Sequence, residues 1–397
     1  MGLRGDAAIV GVAEWKPERR PTREPMFSFE QYAELAKEAL DDAGIGVKEV
    51  NGLCTTGVRE SSMFAPATLS EYMGLPVNLA EHVDLGGASS AGMIWRAAAA
   101  IELGLCDVVV CATPSGPTPQ PPGGPVNPGY LGASSGAFGS PQAEFDIPYG
   151  NLAQNCGYAQ IAQRYAAEFG YDERALAKIA VDQRTNACAY PPAFFHGQPI
   201  TVDDVLNSPM IADPLHLLEI VMPCSGGAAV VLASRERALS TNHRPAFLTG
   251  FGEHLAFKTP SYAEDLVRTP MKPAADKAFE MAGVARSEID AAQLYDCYTI
   301  TVLLALEDMG FCEKGEGARF VNDHDLTYEG DFPLNTNGGQ LSFGQPGMSG
   351  GMSHVTEGAR QIMGRGDANQ LESCDTVLVL NNGGIMSEQV ALILRGE

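Results

Sequence analysis

Three stretches of the chain carry groups that could do chemistry. The first is GGASSAG, residues 86–92, which follows an extended run at 81–85 and leads into the alanine-rich segment MIWRAAAAIELG. A glycine-rich turn aimed into a helix N-terminus presents free backbone N–H groups, and α/β enzymes use such turns to place a nucleophile or bind an anion. This turn holds Gly86, Gly87, Ala88, Ser89 and Ser90, so the serines are its only nucleophilic side chains. A serine nucleophile needs an adjacent base. The sequence places none of its seven histidines to provide one, and both hydroxyls read as caps of the helix or of the turn before it.

The second stretch is LYDCYT, residues 294–299. Tyr295 and Asp296 fall at the C-terminal end of a predicted strand, where open α/β sheets bind ligands. A phenol beside amide donors or a helix N-terminus can have its pKa lowered enough to serve as a base. Strand alternation puts Cys297 on the face of Tyr295, with Asp296 and Tyr298 on the other. The third is NTNGGQLSFGQPGMSGG (335–351) together with NNGG (381–384). The side chains of Asn337 and Asn381 and the backbone N–H groups of Gly383 and Gly384 are candidate donors to a developing oxyanion. His354, in the helix after GGMS, is close enough along the chain to reach the same site, although a lone helical histidine also serves as ordinary packing. Neither glycine-rich run has the Lys-Ser/Thr ending of a phosphate loop.

Composition narrows what these groups can act on. The 397 residues include 45% hydrophobic residues and 44 glycines, enough for a large core and two packed domains. A net charge of −23, with no basic run beyond Arg19–Arg20, argues against nucleic acid or an anionic membrane as partner. The nine cysteines are scattered without CxxC or other metal spacing, no metal site is legible, and no signal peptide or long apolar span is present. A reducing cytoplasm is the expected compartment.

The elements that must position these groups alternate between strand and helix. AAIVGVAE (7–14) and CDVVVCAT (106–113) read as strands, and 29–44, 151–170 and 172–189 as helices, an α/β pattern. Residues 114–141 are rich in Pro, Gly and Ser without apolar periodicity and read as a surface excursion. An internal repeat organises the rest: EALDDAGIGVKEVNG (38–52) lies over KAFEMAGVARSEIDA (277–291) without a gap, matching Ala39 with Ala278, Ala43 with Ala282, Gly44 with Gly283, Glu49 with Glu288 and Val50 with Ile289. A weaker echo pairs 106–113 with CDTVLVLN (374–381). The chain reads as two similar α/β halves, 1–244 with a long loop at about 114–150, and 245–397. Their glycine-rich turns, 86–92 and 344–351, face each other by pseudo-symmetry, which puts a site between the halves.

The duplicated halves, GGASSAG, LYDCYT, NTNGGQLSFGQPGMSG and NNGG together resemble the thiolase superfamily, in particular its sterol-carrier-protein-X-like branch. The resemblance spans essentially the whole chain and implies a thiolase fold, two pseudo-symmetric α/β halves stacked as a five-layer αβαβα sandwich. Against that family the catalytic positions are emptied. Counting back from Ile101 puts Gly87 where the family has its nucleophilic cysteine. Gln345 replaces the histidine of GHP, Asn337 the histidine of NxHGG, and Asn381 the second cysteine of CxGG. Tyr295 and Asp296 stand in place of the family's His-Asp pair, as in the thiolase-fold aldolases of steroid side-chain degradation. Those proteins carry LYDH followed by GFCGKGE where this chain has LYDCYT and GFCEKGE, and FFHGQPIT (194–201) and ADPLHLL (212–218) are similar as well. The aldolases carry a tyrosine where this chain has Phe343.

The resemblance implies a lyase, because retro-aldol cleavage of a β-hydroxyacyl-CoA needs a base and oxyanion donors but no covalent nucleophile. Tyr295 is the expected base beside Asp296; Asn337, Asn381, Gly383 and Gly384 are the expected donors. Gly87, Ser89, Ser90 and Tyr149 are expected to line the substrate, as are Phe343, Gln345 and His354. Tyr158 reads as packing near the acyl side. CoA would belong to the substrate, with no separate cofactor. A homodimer and a small zinc-ribbon, OB-fold partner associated with a hydratase are the implied assemblies. Two alternatives stand beside the lyase: a catalytically silent acyl-CoA or lipid-binding scaffold, and a CoA acyltransferase with a non-standard nucleophile such as Ser89, Ser90 or Cys297.

Overall fold

Apolar runs bounded by turn residues form the strands, and their order in the sheet displays the repeat. A computed structural model describes residues 2–120 and 138–397; positions 121–137 of the expected excursion lie outside the described residues. The strands are β1 (Ala7–Glu18), β2 (Gly52–Thr55), β3 (Leu79–His82), β4 (Val108–Ser115), β5 (Met210–Ala212), β6 (Leu215–His216), β7 (Ser225–Ser234), β8 (Ala246–Leu255), β9 (Ala291–Leu294), β10 (Thr376–Gly383) and β11 (Glu388–Gly396). Apart from the small β5–β6 pair, they run in the order β3-β2-β4-β7-β1-β8-β11-β10-β9. Read outward from the middle, β1-β7-β4-β2 mirrors β8-β11-β10-β9, and β3 extends one edge.

The expected halves are thus half-sheets joined at their first strands. The junction is a short antiparallel pairing, Ala8 with Phe247 and Ile9 with Ala246. The matched segments are equivalent in space: the helices Ser28–Ala43 and Met271–Ala282 end at Gly44 and Gly283, both left-handed at φ 69° and 65°, and each chain then passes through a 3-10 turn into β2 or β9. The repeat also explains Ala39 and Ala278. A β-carbon at Gly11 of β1 would lie 2.3 Å from the Ala39 carbonyl oxygen, and one at Gly250 of β8 would lie 2.3 Å from that of Ala278. Each half therefore pairs a small helix residue with a bare strand position, so that helix backbone rests on sheet backbone.

Five layers follow. The Ser28–Ala43 helix packs on β1, β4 and β7, and the Met271–Ala282 helix on β8 and β11. The Ser89–Glu102 and Ser349–Met363 helices form the middle layer, in contact with each other and with strands of both halves. Three apolar cores match this layering. One lies under the first outer helix around Tyr32, Leu35 and Val231. The central one is built from Ile94, Ile101, Val355, Val379 and Leu392, and the third, around Phe279, Leu304 and Ile393, lies under the opposite outer helix.

Several boundaries differ from expectation. The run before GGASSAG is a strand only over Leu79–His82. β9 stops at Leu294, so Tyr295 to Tyr298 lie beyond the strand and alternation does not govern Cys297. Residues expected as loop before 151 include a short helix, Pro141–Phe145, and a 3-10 turn, Ile147–Tyr149.

Candidate active site

Short glycine and serine side chains let the two central helices begin against each other. The Ser89 hydroxyl accepts the Leu85 N–H at 2.8 Å and donates to the Gly86 carbonyl at 2.7 Å, locking the turn with both of its hydrogen-bonding functions. Ser90 Oγ is buried without a partner among the described residues. The second turn meets the first: a β-carbon at Gly351 would lie 2.4 Å from the Gly87 carbonyl oxygen and 2.7 Å from Asn381 Oδ1. Asn381, on β10, bridges to the first helix by accepting the Ala91 N–H at 3.1 Å. Its buried Nδ2 has no acceptor among the described residues. Two helix N-termini, both electropositive, therefore converge around one unspent amide donor.

Tyr295 enters this junction from the end of β9. Its N–H donates to the Leu380 carbonyl at 3.0 Å, continuing the parallel β9–β10 pairing by one residue, and Thr301 Oγ1 donates to its carbonyl at 3.1 Å. These bonds fix the backbone so that the phenol lies over Gly87. A β-carbon there would be 2.3 Å from Tyr295 Oη, 2.6 Å from Cζ and 2.4 Å from the Asn382 carbonyl oxygen. The phenol fills the volume that a side chain at 87 would need.

Asp296, the next residue, turns the other way and is fully buried. It accepts the backbone N–H groups of Gln340 at 2.8 Å and Leu341 at 3.0 Å. His354 Nε2 lies 3.2 Å from its Oδ1, and the Gln340 amide shares that ring nitrogen at 3.1 Å. His354 Nε2 therefore faces both the Asp296 carboxylate and the Gln340 amide. The His354 ring sits beside the Tyr295 ring, with centroids 5.8 Å apart. Asp296 is thus an anchor for His354, and His354 a neighbour of the phenol.

The other expected residues separate into those at the junction and those away from it. Gly383 and Gly384 are at it: a β-carbon at Gly383 would lie 1.9 Å from the Leu85 carbonyl oxygen, and one at Gly86 would lie 3.0 Å from the Gly384 nitrogen. Asn337 is buried beside it, but its Oδ1 closes a local turn onto the Gly339 N–H at 2.9 Å. Gln345 bridges through its backbone to Met222 and Cys224, both at 3.0 Å. Phe343 is buried with Ala187, Tyr190 and Ala193 in a separate cluster, where its carbonyl accepts the Phe194 N–H at 2.9 Å. Tyr149 is 83% exposed and lines a surface recess with Phe145, Asp146 and Asn151.

Asn382, which had no expected role, and Tyr158, expected as packing near the acyl side, complete the junction. Asn382 donates from Nδ2 to Tyr158 Oη at 2.9 Å, and Tyr158 donates onward to the Gly384 carbonyl at 3.1 Å. Burial pushes the Tyr158 phenol well above its ordinary pKa, so it stays a neutral donor that clamps the 382–384 turn. The signal for Asn382 was its place beside Asn381 in NNGG; that for Tyr158 was its place near a helix start beside the long loop. Cys297 touches Asn382 at 3.9 Å, and burial pushes its thiol up to about 12, which keeps it protonated and unreactive at neutral pH. Among the described residues no three His, Cys, Asp or Glu side chains converge to hold a metal ion, and no helix is long and apolar enough to cross a membrane.

Comparison with known proteins agrees with this geometry. Residues 252–396 match the thiolase C-terminal domain-like family. The chain is 31% identical to the steroid side-chain-cleaving aldolase of Thermomonospora curvata, covering 98% of each chain. It is 29% identical to the 17-hydroxy-3-oxo-4-pregnene-20-carboxyl-CoA lyase of Mycobacterium tuberculosis, over 98% of this chain and 100% of that one. Among solved structures, the Ltp2-ChsH2(DUF35) aldolase superposes with a TM-score of 0.86 at 30% identity, covering 99% of this chain and 98% of the other.

Proposed function

The chain belongs to the thiolase superfamily, on the sterol-carrier-protein-like branch that holds the steroid side-chain-cleaving aldolases, and is a thiolase-like retro-aldol lyase; we propose that Tyr295 is its base and a β-hydroxyacyl-CoA with a bulky apolar acyl chain, steroid or aryl-alkyl, its substrate. The observation that carries this reading is the Tyr295 phenol held over Gly87. A reactive oxygen occupies the meeting point of the two helix N-termini, and the same contact leaves no room for a nucleophilic side chain. The thioester itself is a substrate group, so no separate cofactor is invoked.

In the proposed cycle, Tyr295 Oη, as phenolate, takes the proton of the β-hydroxyl. The Cα–Cβ bond breaks, its electron pair moves into the thioester as an enolate, and the β-carbon leaves as a ketone or aldehyde. The phenol returns its proton to Cα, giving the shorter acyl-CoA and restoring the phenolate. The enolate oxygen needs donors in place before it forms. Asn381 Nδ2, buried and unspent, is the first; the Gly383 and Gly384 amides are the further candidates, with Asn337 behind them. His354, its Nε2 beside Asp296, packs its ring next to the phenol and holds it in place. Ser89 and Ser90 shape the turn, and Gln345 the opposite wall.

For assembly we propose a homodimer working with a zinc-ribbon, OB-fold partner in the cytoplasm. The similarity to the Ltp2-ChsH2(DUF35) aldolase, named for two proteins, supports the partner. The test is cleavage of β-hydroxyacyl-CoA thioesters by the purified chain with and without such a partner, beside Tyr295→Phe. The expected result is cleavage that the variant loses by roughly 10²–10⁴-fold. Cleavage that survives Tyr295→Phe removes the base assignment; thiolysis of β-ketoacyl-CoA would point to an acyltransferase, and tight CoA-ester binding without turnover to a scaffold.

A further inference from the structure

A second polar feature lies outside the Tyr295 junction, on the side where the Gln154–Phe169 helix meets the segment after β8. Phe145, Asp146, Tyr149, Asn151, Ser261 and Leu266 line a recess of about 320 Å³ there. Its walls are the segments that frame Gly384. Tyr158, which donates to the Gly384 carbonyl, is two residues from Gln160 in the recess lining, and the Lys258 carbonyl, 3.8 Å from where a β-carbon of Gly384 would stand, is two residues before Pro260 in the same lining.

Asp146 is the unusual member. It is 3% exposed. Its Oδ1 accepts a short hydrogen bond from the Ser261 hydroxyl, while its Oδ2 is buried with no partner among the described residues. A buried carboxylate oxygen without a donor is costly, and the described lining contains no Lys, Arg or His to supply one. Around it Phe145, Tyr149, Pro260 and Leu266 give the recess an apolar and aromatic side and Asn151, Gln160 and Ser261 a polar one, with Phe145 packed edge-on against Tyr262 at 6.2 Å and Tyr149 open to solvent. A flat apolar ring carrying a hydroxyl fits this chemistry: the ring lies on Phe145, Tyr149 and Leu266, and the hydroxyl donates to Oδ2. A phosphate-bearing group does not, since it would meet a carboxylate with no cation to offset it.

Resting on the lyase reading above, we propose that this recess receives the ring end of the acyl group and that Asp146 selects a ring bearing a hydroxyl over one bearing a keto or apolar substituent. The selection is one of donor chemistry: a hydroxyl completes the carboxylate's hydrogen bonds, whereas a carbonyl oxygen repels it.

The test is titration of the intact purified chain with 2-naphthol and with 2-methylnaphthalene, probes of similar size that differ in the hydroxyl. The expected result is that 2-naphthol binds roughly tenfold more tightly, the worth of a hydrogen bond to a charged acceptor, and that Asp146→Asn removes the preference. Tyr149→Ala, at an exposed position, should weaken both probes equally and leave the preference intact, which keeps the proposal testable if Asp146→Asn does not fold. Equal binding of the two probes, or a preference that survives Asp146→Asn, would overturn it. Neither probe carries a thioester, so both affinities should be unchanged in Tyr295→Phe; absence of cleavage with the preference intact would refute the lyase reading alone.

Discussion

Gly87→Ala is the most direct probe of the junction, because the structure sets its size. The added methyl would stand 2.3 Å from Tyr295 Oη, 2.6 Å from Cζ and 2.4 Å from the Asn382 carbonyl oxygen. Ordinary carbon contacts begin near about 3.5 Å, so the contacts with both the phenol and the Asn382 carbonyl must open by about 1 Å. The Asn382 peptide is held within β10 and by the bonds its side chain makes to Tyr158 and Gln389, whereas the phenol swings about side-chain torsions. Tyr295 is therefore displaced, and the Gly87 turn itself must shift off the Asn382 carbonyl. A displacement of that size costs on the order of 10²-fold in the rate of a positioned reaction, and the overpacking costs roughly 1–3 kcal/mol of stability. The assay is kcat for β-hydroxyacyl-CoA cleavage, with urea denaturation beside it. Gly92→Ala is the control: its β-carbon would press the end of the Leu85 side chain at 2.9 Å, overpacking the same turn without touching the phenol, and it should retain most activity. In a Tyr295→Phe background, Gly87→Ala should cost little further rate, since two changes acting on one group are not additive. Wild-type kcat in Gly87→Ala would refute the placement of the phenol at the reacting oxygen.

Asp296→Ala leaves His354 and the Gln340 and Leu341 N–H groups facing an empty, fully buried position, and should cost roughly 3–5 kcal/mol in urea denaturation; a loss below about 1 kcal/mol would mean these groups find other partners. Ser89→Ala removes both bonds of the turn and should lower stability by about 1–2 kcal/mol with cleavage retained, whereas Ser90→Ala, deleting a buried hydroxyl without a described partner, should be neutral or stabilising; abolished cleavage in either would revive a serine nucleophile. Burial raises the Glu357 carboxyl above its ordinary pKa, opposed by hydrogen bonds from Thr336 and Gln361. Between the unfolded and the folded pKa the native state holds the extra proton, so Glu357 makes stability fall as pH rises through that window. Glu357→Gln should flatten this fall, gaining on wild type as pH rises above the ordinary carboxylate range, and identical slopes in the two proteins would contradict a raised carboxyl.

The duplication could be read from residues because its contacts are local or repeated. Ala39 and Ala278 each face a strand glycine, and Gly44 and Gly283 each end a helix in a left-handed turn, so the same steric demand left the same residue twice. The meeting of the two glycine-rich turns followed from that symmetry. What stayed hidden depends on pairing across the halves. Nothing near His354 in sequence distinguishes a histidine aimed at Asp296 from one packed in a helix; the pairing exists because the Ser349–Met363 helix is the middle layer. Two-residue alternation is not what places Cys297, because β9 ends at Leu294 and the chain turns before the Thr299–Asp308 helix, yet its thiol still lies against Asn382 at the junction. The packing of Phe343 was hidden for a similar reason: its short helical turn delivers it to Tyr190 and Ala193, a contact across distant elements that no local pattern encodes.

If Tyr295 is the base proposed above, a lost nucleophile at Gly87 and a gained base are one event. In a junction where two helices start within backbone contact of each other, there is volume for one reactive side chain between Gly351, Asn381 and Asn382. A side chain on the first turn would come from the helix it caps; Tyr295 reaches the same volume from the opposite half, off the end of β9. The positive helix termini and the buried Asn381 amide serve either arrangement, because both build negative charge on a thioester oxygen. A chain of this architecture can therefore exchange acyl transfer for carbon–carbon cleavage without rebuilding its donors, provided residue 87 keeps no side chain. Restoring a cysteine at 87 alone should then yield neither chemistry, since the thiol and the phenol would contend for the same space. Gly87→Cys should lose cleavage without gaining thiolysis, and a Gly87→Cys enzyme that retained cleavage would show that the two groups do not share it.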